Sequence, residues 1–216
     1  MDPLALGLGF GPIAIYLAAL GIVNYRRFPL VIAGWKDTAA FMLAFGGLIV
    51  VGPINLFFPL PAYFQFGPWV WALLIALYLL AIVSLNLWMK PKIIVYNIPY
   101  DDIRPALSEL ALELDPDARW AGECLSLPNQ GIQLYLDYFP LFRNARLVAV
   151  GRRQDFQAWA ELEKRLRNRL RQLDVGRNWA GVSLLVVGLF LGAMVALGVA
   201  SQPSQVAEAF DRLFLR

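Results

Sequence analysis

Several acidic side chains of this chain have a type and spacing that could support chemistry. Asp101 and Asp102 are adjacent, and Glu109 and Glu113 follow at helical spacing. Carboxylate oxygens grouped in this way could hold a divalent cation. Adjacent aspartates also occur at the start of helices, where their oxygens accept hydrogen bonds from free backbone N–H groups. Helix capping explains the pair without a ligand cage, so no metal site is predicted.

Nucleophilic catalysis has one thiol available, that of Cys124. The chain contains no histidine, so neither this thiol nor any serine has an imidazole base, and the commonest metal ligand is also missing. Any acid or base catalysis at a membrane surface would fall to the carboxylates of Asp101, Asp102 or Asp137. No catalytic residue and no cofactor are predicted.

Small residues form a second kind of pattern. Glycines at positions 7, 9 and 11 have the spacing of a dinucleotide-binding loop, but no strand precedes them. Close packing of helices in lipid is the better interpretation, because backbones approach each other along rows of small residues. The predicted packing residues are Gly188, Gly192 and Ala196, and a weaker row of Gly7 and Gly11. Packing within one chain is favoured over a dimer interface.

Four apolar stretches organise the chain, at 4–23, 38–58, 69–88 and 178–200. None of them contains a charged side chain. Crossing the roughly 30 Å hydrocarbon core takes about 20 helical residues, because lipid offers no partner for exposed backbone groups. The sequence therefore predicts an integral membrane α-helical protein with four transmembrane helices. Since no basic residue precedes it, the first stretch is interpreted as a retained span and not as a cleaved signal peptide.

Basic residues in the short loops predict the orientation. They follow the first and third spans and precede the fourth: Arg26, Arg27, Lys36, Lys90, Lys92 and Arg177. Residues 59–68, between the second and third spans, carry no charge. Because Lys and Arg beside a span favour the cytoplasmic side, residues 91–177 are predicted to be cytoplasmic and both termini to lie outside the cell membrane.

Residues 91–177 are predicted to form one small inserted α+β domain. Short apolar runs predict four strands, at 92–98, 120–127, 132–139 and 146–150. Apolar residues at helical spacing predict one helix that ends before Asp115 and another that begins at Asp155. The order strand, helix, three strands, helix is best satisfied by a two-layer sandwich with both helices on one face of the sheet. The strand order is not fixed by this pattern.

The second helix of this domain is strongly basic, with Arg165, Arg167, Arg169 and Arg171 on it. These arginines could lie against anionic lipid headgroups, where each cation contributes about 1 kcal/mol. An ordinary solvated helix face explains them equally well. The positive-inside bias accounts for most of the formal charge of +3, so nucleic-acid binding is not predicted.

The domain plan leads to a general functional hypothesis. Residues 1–90 hold three spans, 178–200 the fourth, and 201–216 an amphipathic tail outside the membrane. We expect a non-enzymatic structural, assembly or regulatory component of a membrane complex, in contact with the lipid bilayer and with a membrane-protein partner or a second copy. The alternatives are a carrier or channel for a neutral or lipid-like solute with a cytoplasmic regulatory domain, and a membrane-bound enzyme acting on a lipid.

Overall fold

The computed structural model describes residues 3–54, 56–151 and 154–214. Its helices are α1 Pro3–Tyr25, α2 Gly34–Ile49, α3 Leu60–Phe66, α4 Trp69–Trp88, α5 Tyr100–Leu114, α6 Phe156–Leu170, α7 Ala180–Ser201 and α8 Pro203–Phe214. Its strands are β1 Leu30–Ala33, β2 Lys92–Tyr96, β3 Arg119–Ala121, β4 Cys124–Leu127, β5 Ile132–Phe139 and β6 Asn144–Ala149. Contacts divide these residues into a mainly helical unit and a second unit, Leu20–Asp37 with Met89–Ser183.

Four helices are long and apolar enough to cross a membrane, as the sequence predicts. Three of them, α1, α4 and α7, begin and end within about two residues of the predicted spans. The second starts earlier than predicted, at Gly34, because β1 leads straight into it. Its described part runs to Ile54, and Val50–Ile54 form a π-helix around Pro53. Proline lacks the N–H that a regular α-helical turn requires, so the ladder is interrupted there.

Aromatic residues gather around α3, between α2 and α4. Phe58, Tyr63 and Trp71 are buried together with Val70. Other aromatic side chains of this segment point away from the protein: Phe57, Phe64, Phe66 and Trp69 are all exposed. The sequence predicts only a charge-free connection between the second and third spans here, and it does not predict the short helix.

The sheet has six strands in the order β1-β2-β6-β5-β4-β3, and every neighbouring pair is antiparallel. The sheet differs from the prediction in two ways. Residues 120–127 form β3 and β4 instead of one strand, because the chain reverses at Gly122, whose φ of 63° suits glycine. One strand, β1, is not predicted. It lies outside residues 91–177 and comes from the short segment between α1 and α2.

One face of the sheet carries the core of the second unit. Helices α5 and α6 pack side by side on this face, in the predicted two-layer arrangement, with Trp159 and Leu162 among the buried side chains of α6. From the sheet, the core receives Val31, Ile93, Val95, Leu125, Leu127, Ile132, Leu134, Leu136 and Leu147. Each large aliphatic side chain buried here contributes roughly 1.5–3 kcal/mol, which is how α5, α6 and the sheet stabilise one another.

Helix ends are only partly as predicted. Asp155 caps α6 by accepting hydrogen bonds from the N–H groups of Gln157 at 2.8 Å and Ala158 at 3.2 Å. Capping by Asp101 and Asp102 is not seen: Pro99 is the residue before α5, and both aspartates lie in its first turn. Their charges still face the positive end of the helix dipole there.

A buried carboxylate, Asp115, fixes the end of α5 to the turn between β4 and β5. Its Oδ1 accepts hydrogen bonds from the N–H of Asp117 at 2.9 Å and from Nδ2 of Asn129 at 2.7 Å, and its Oδ2 accepts from the N–H of Asn129 at 2.8 Å. Burial alone raises the pKa of Asp115, but these hydrogen bonds outweigh it and hold the pKa below its usual value.

This lowered pKa predicts a stability that falls in acid. A carboxyl whose folded pKa lies below the unfolded value of 3.8 contributes fully above that value and loses its contribution as pH falls through the folded pKa. We expect the midpoint of thermal unfolding to fall as pH drops from neutral to below about 4, and the Asp115→Asn variant to start lower and depend less on pH. Asp117→Asn is the control, and equal pH profiles for the wild type and Asp115→Asn would contradict the assignment.

Candidate functional site at the edge of the sheet

The segments that connect α1 and α7 to the sheet meet at Asn97, directly after β2. This side chain is fully buried. Its Nδ2 donates to the carbonyl oxygen of Arg26, one residue beyond α1, and at 3.5 Å to the carbonyl oxygen of Gly176, ahead of α7. Its backbone N–H donates to Oδ1 of Asn144 in β6 at 3.2 Å. One asparagine thus joins two strands to two helix connections.

The backbone at this point is suited to asparagine. Asn97 has a φ of 53°, in the left-handed region that asparagine adopts more readily than other residues with a side chain. The turn lets the chain leave β2, and the next N–H, that of Ile98, donates to the carbonyl oxygen of Arg143 at 2.6 Å. The β5–β6 connection is therefore held against the residue that follows Asn97.

The two helix connections also bond to each other. The N–H of Val175 donates to the carbonyl oxygen of Arg27 at 3.0 Å, and Nη1 of Arg143 donates to the carbonyl oxygen of Val175 at 3.5 Å. An exposed ion pair joins Arg27 and Asp174 at 3.9 Å. Exposed pairs of this kind contribute about 0–1 kcal/mol, so the buried hydrogen bonds of Asn97 are the stronger link.

The hydrogen-bonded residues around Asn97, Arg27 and Val175 form a junction. Aromatic contacts extend this junction to the ends of α1 and α7. The ring of Tyr25, the last residue of α1, packs edge-on against Trp179 with centroids 5.6 Å apart. The guanidinium carbon of Arg177 lies 5.2 Å from the centroid of the same tyrosine ring. Farther along, a Cβ on Gly181 would lie 2.8 Å from the backbone nitrogen of Tyr25, so α7 begins in direct backbone contact with the end of α1.

The start of α2 is held by two residues of β2, Tyr96 and Lys92. The hydroxyl of Tyr96 donates to Oδ1 of Asp37 in the first turn of α2. Gly34 lies so close to the Lys92 side chain that a Cβ there would sit 1.9 Å from its Cγ. Burial lowers the pKa of Lys92, and Arg146 acts in the same direction, while Asp37 opposes them. All connections at this end of the helices therefore converge on β1 and β2.

The junction consists of contacts that hold segments together, and the residues considered for chemistry lie apart from one another. Among the residues that the structure describes, no three His, Cys, Asp or Glu side chains are grouped so as to hold a metal ion. The acidic set considered above is divided, since Glu109 and Glu113 of α5 both pair with Arg169 of α6. Cys124 lies in β4, partly buried, opposite Tyr135.

Three of the four arginines considered for contact with lipid headgroups form ion pairs within the domain. Arg165 bonds to Glu161 at 2.6 Å, and Arg167 bonds to Glu163, both at the predicted helical spacing. Arg169 lies 2.9 Å from Glu113, while Arg171 is exposed. The acidic α5 and the basic α6 thus neutralise each other in part, and the pairs Glu161–Arg165 and Glu113–Arg169 line an open groove of about 490 Å³.

The predicted glycine rows are only partly packing faces. A Cβ on Gly188 would meet Ala18 N at 2.6 Å and Ala14 O at 2.9 Å, so α7 and α1 touch backbone to backbone there. Gly192 and Gly7 have ordinary contacts, 3.8 Å from the Ala14 Cβ and 3.4 Å from a Val199 methyl. Gly11 has no neighbour within 4 Å, and Ala196 is exposed. The sequence misses Gly181, although it lies two helical turns before Gly188 on the same face.

This difference between the two glycines of the Gly188–Gly192 motif predicts different mutational effects. Gly188→Ala should destabilise the helices by roughly 1–3 kcal/mol, because the new methyl meets backbone that cannot rotate away. Gly192→Ala should be neutral or slightly stabilising, since its nearest contact is ordinary and alanine favours the helix. Unfolding of the two variants in mild detergent measures both effects. Equal losses would contradict the assigned α1–α7 contact.

Comparison with protein-family models, curated proteins and solved structures found no match to this chain.

Proposed function

We propose that the chain is a polytopic protein of the cytoplasmic membrane, with α1, α2 as far as Ile54, α4 and α7 as its spans. Their length and apolar composition support this. The residues at the end of α1, the start of α2, those after α4 and the start of α7 all belong to the compact unit that holds the sheet. Together with the basic loops, this supports a cytoplasmic sheet, with both termini on the other side.

Within this membrane protein, the sheet acts as a structural or regulatory module of a larger complex and not as a catalyst. The observation that carries the proposal is the junction at Asn97, where one buried side chain joins the connections of α1 and α7 to the sheet. Because β1 itself is the connection between α1 and α2, the sheet cannot form completely without the helices' connecting segment. A partner bound to the sheet would therefore act on the helix ends, and the reverse.

A specific companion is the expected result of affinity purification from crosslinked native membranes, with the companions identified by mass spectrometry. The matched variant is Asn97→Gly, which removes the junction's side-chain hydrogen bonds and keeps a residue suited to its backbone. We expect a reproducible partner set for the wild type and a weakened one for the variant. Recovery of the wild-type protein alone would contradict the proposal and would favour the carrier or lipid-enzyme alternatives.

A further inference from the structure

The turn between β5 and β6 carries an unusual pair of exposed apolar side chains. Pro140–Phe142 form a short 3₁₀ turn, and its central residue, Leu141, is 70% exposed. Phe139, the last residue of β5, is 44% exposed. Turns normally present polar residues to water, so exposed apolar side chains at the tip of a turn indicate contact with something else.

This turn lies beside the connections to α1 and α7. Arg143, the next residue, accepts a hydrogen bond from Ile98 at 2.6 Å and donates one to the carbonyl oxygen of Val175. Val175 in turn bonds to Arg27, which is two residues beyond the end of α1. The tip is therefore held at the level where α1 ends and α7 is about to begin.

The charges around the tip are of both signs, with cations in a small majority. The guanidinium carbon of Arg146 lies 4.6 Å from the centroid of the Phe139 ring. The cations of this end of the domain are Arg26, Arg27, Arg143, Arg146 and Arg177. Four carboxylates lie at the same end: Asp174, paired with Arg27, Asp137, opposite Arg146 in the sheet, and Asp101 and Asp102, whose charges act on Tyr138. An apolar tip with cations around it matches a leaflet surface, in which anionic phosphates lie above hydrocarbon.

We propose that Phe139 and Leu141 insert into the interface of the cytoplasmic leaflet, with Arg143 and Arg146 at the phosphate level. The occupant of this surface is the lipid of the same membrane and not a second copy or another protein. Continuity with the helix ends supports this, since only a few residues separate Arg27 and Val175 from the spans. The inference rests on the proposed spanning of α1 and α7.

Lipid-quenching of a site-specific fluorophore tests this contact. The full chain is prepared with Cys124→Ser and a single new cysteine, labelled with an environment-sensitive dye and reconstituted into vesicles of phosphatidylcholine and phosphatidylglycerol. The test position is Leu141→Cys. The matched control is Phe156→Cys, which is 72% exposed but lies at the other end of β5, where the Asp155 N–H bonds to Gly131. Ile15→Cys, 73% exposed in α1, reports the spanning itself.

We expect dye at 141 and at 15 to have blue-shifted emission and to lose intensity with spin-labelled lipids, and dye at 156 to do neither. Quenching at 15 without quenching at 141 would overturn the interfacial contact and leave the spanning in place. Blue-shifted but unquenched dye at 141 would mean that protein covers the tip, which also overturns it. Absence of quenching at all three positions would overturn both proposals. Quenching at 156 as well as at 141 would mean that lipid contact is not confined to the tip, which also overturns the interfacial contact.

Discussion

Gly47→Ala is expected to force α1 and α2 apart and to destabilise the helices strongly. A Cβ at this position would lie 1.7 Å from the carbonyl oxygen of Leu8 and 2.7 Å from its carbonyl carbon. Both atoms are backbone, so relief requires one helix to move as a whole. Overpacking of this kind costs typically 1–3 kcal/mol, and occasionally more, which would be a large part of the stability of a small protein. Thermal unfolding in detergent, followed by circular dichroism, measures the loss.

Gly198→Ala is the matched control for this change, because it adds the same methyl group to an apolar helix, α7, at a position where a Cβ would meet no other part of the protein within 4 Å. It should leave stability unchanged or raise it slightly, since alanine favours the helix over glycine by about 1 kcal/mol. If the two variants melt together, Gly47 does not mark a close approach of α1 and α2.

Asn97→Ala should loosen the junction and have the second of the two largest effects. The substitution removes the donor to the carbonyl oxygens of Arg26 and Gly176, and each hydrogen bond lost contributes about 0.5–1.5 kcal/mol. Alanine also fits the left-handed backbone poorly. We expect faster limited trypsin cleavage after Arg27 and Arg177, which lie in the two connections that Asn97 holds.

Two further variants separate the causes of that effect. Asn97→Gly loses the same hydrogen bonds but suits a positive φ, so it should be cleaved faster than the wild type and more slowly than Asn97→Ala. Asn168→Ala, at an exposed position of α6, should change nothing. Trypsin sensitivity at the wild-type level in Asn97→Ala would mean that the side chain does not hold the connections.

Much of the fold follows from signals that are local in the sequence. The four long helices follow from their length and lack of charge, and the start of α6 follows from Asp155 ahead of its apolar stripe. The β4–β5 hairpin follows from its turn residues, with Gly131 in the left-handed region at φ 60°. Each of these elements is specified by neighbours within a few residues, which is why the sequence alone predicts it.

What the sequence does not reveal depends on distant partners. The run Leu30–Ala33 is too short to be distinguished from a loop between two spans until β2 is there to pair with it. Asn97 and Asp115 look like ordinary turn residues, since their partners lie 71 and 14 residues away. Gly188 and Gly192 are recognisable because they lie four residues apart, but Gly47 has no second glycine at that spacing. Its contact is with the backbone of Leu8.

Pairing of β1 with β2 is the central claim, and a disulfide crosslink in native membranes tests it most directly. Ile32 faces Ile94 in the register, and directly opposed Cβ atoms lie roughly 4.5–5.5 Å apart, within reach of a disulfide. On a Cys124→Ser background, cysteines at 32 and 94 should crosslink on mild oxidation and join two tryptic peptides. Cysteines at 32 and 146, with β2 between them, should not. Failure of the first pair, or equal crosslinking of both, would contradict the account.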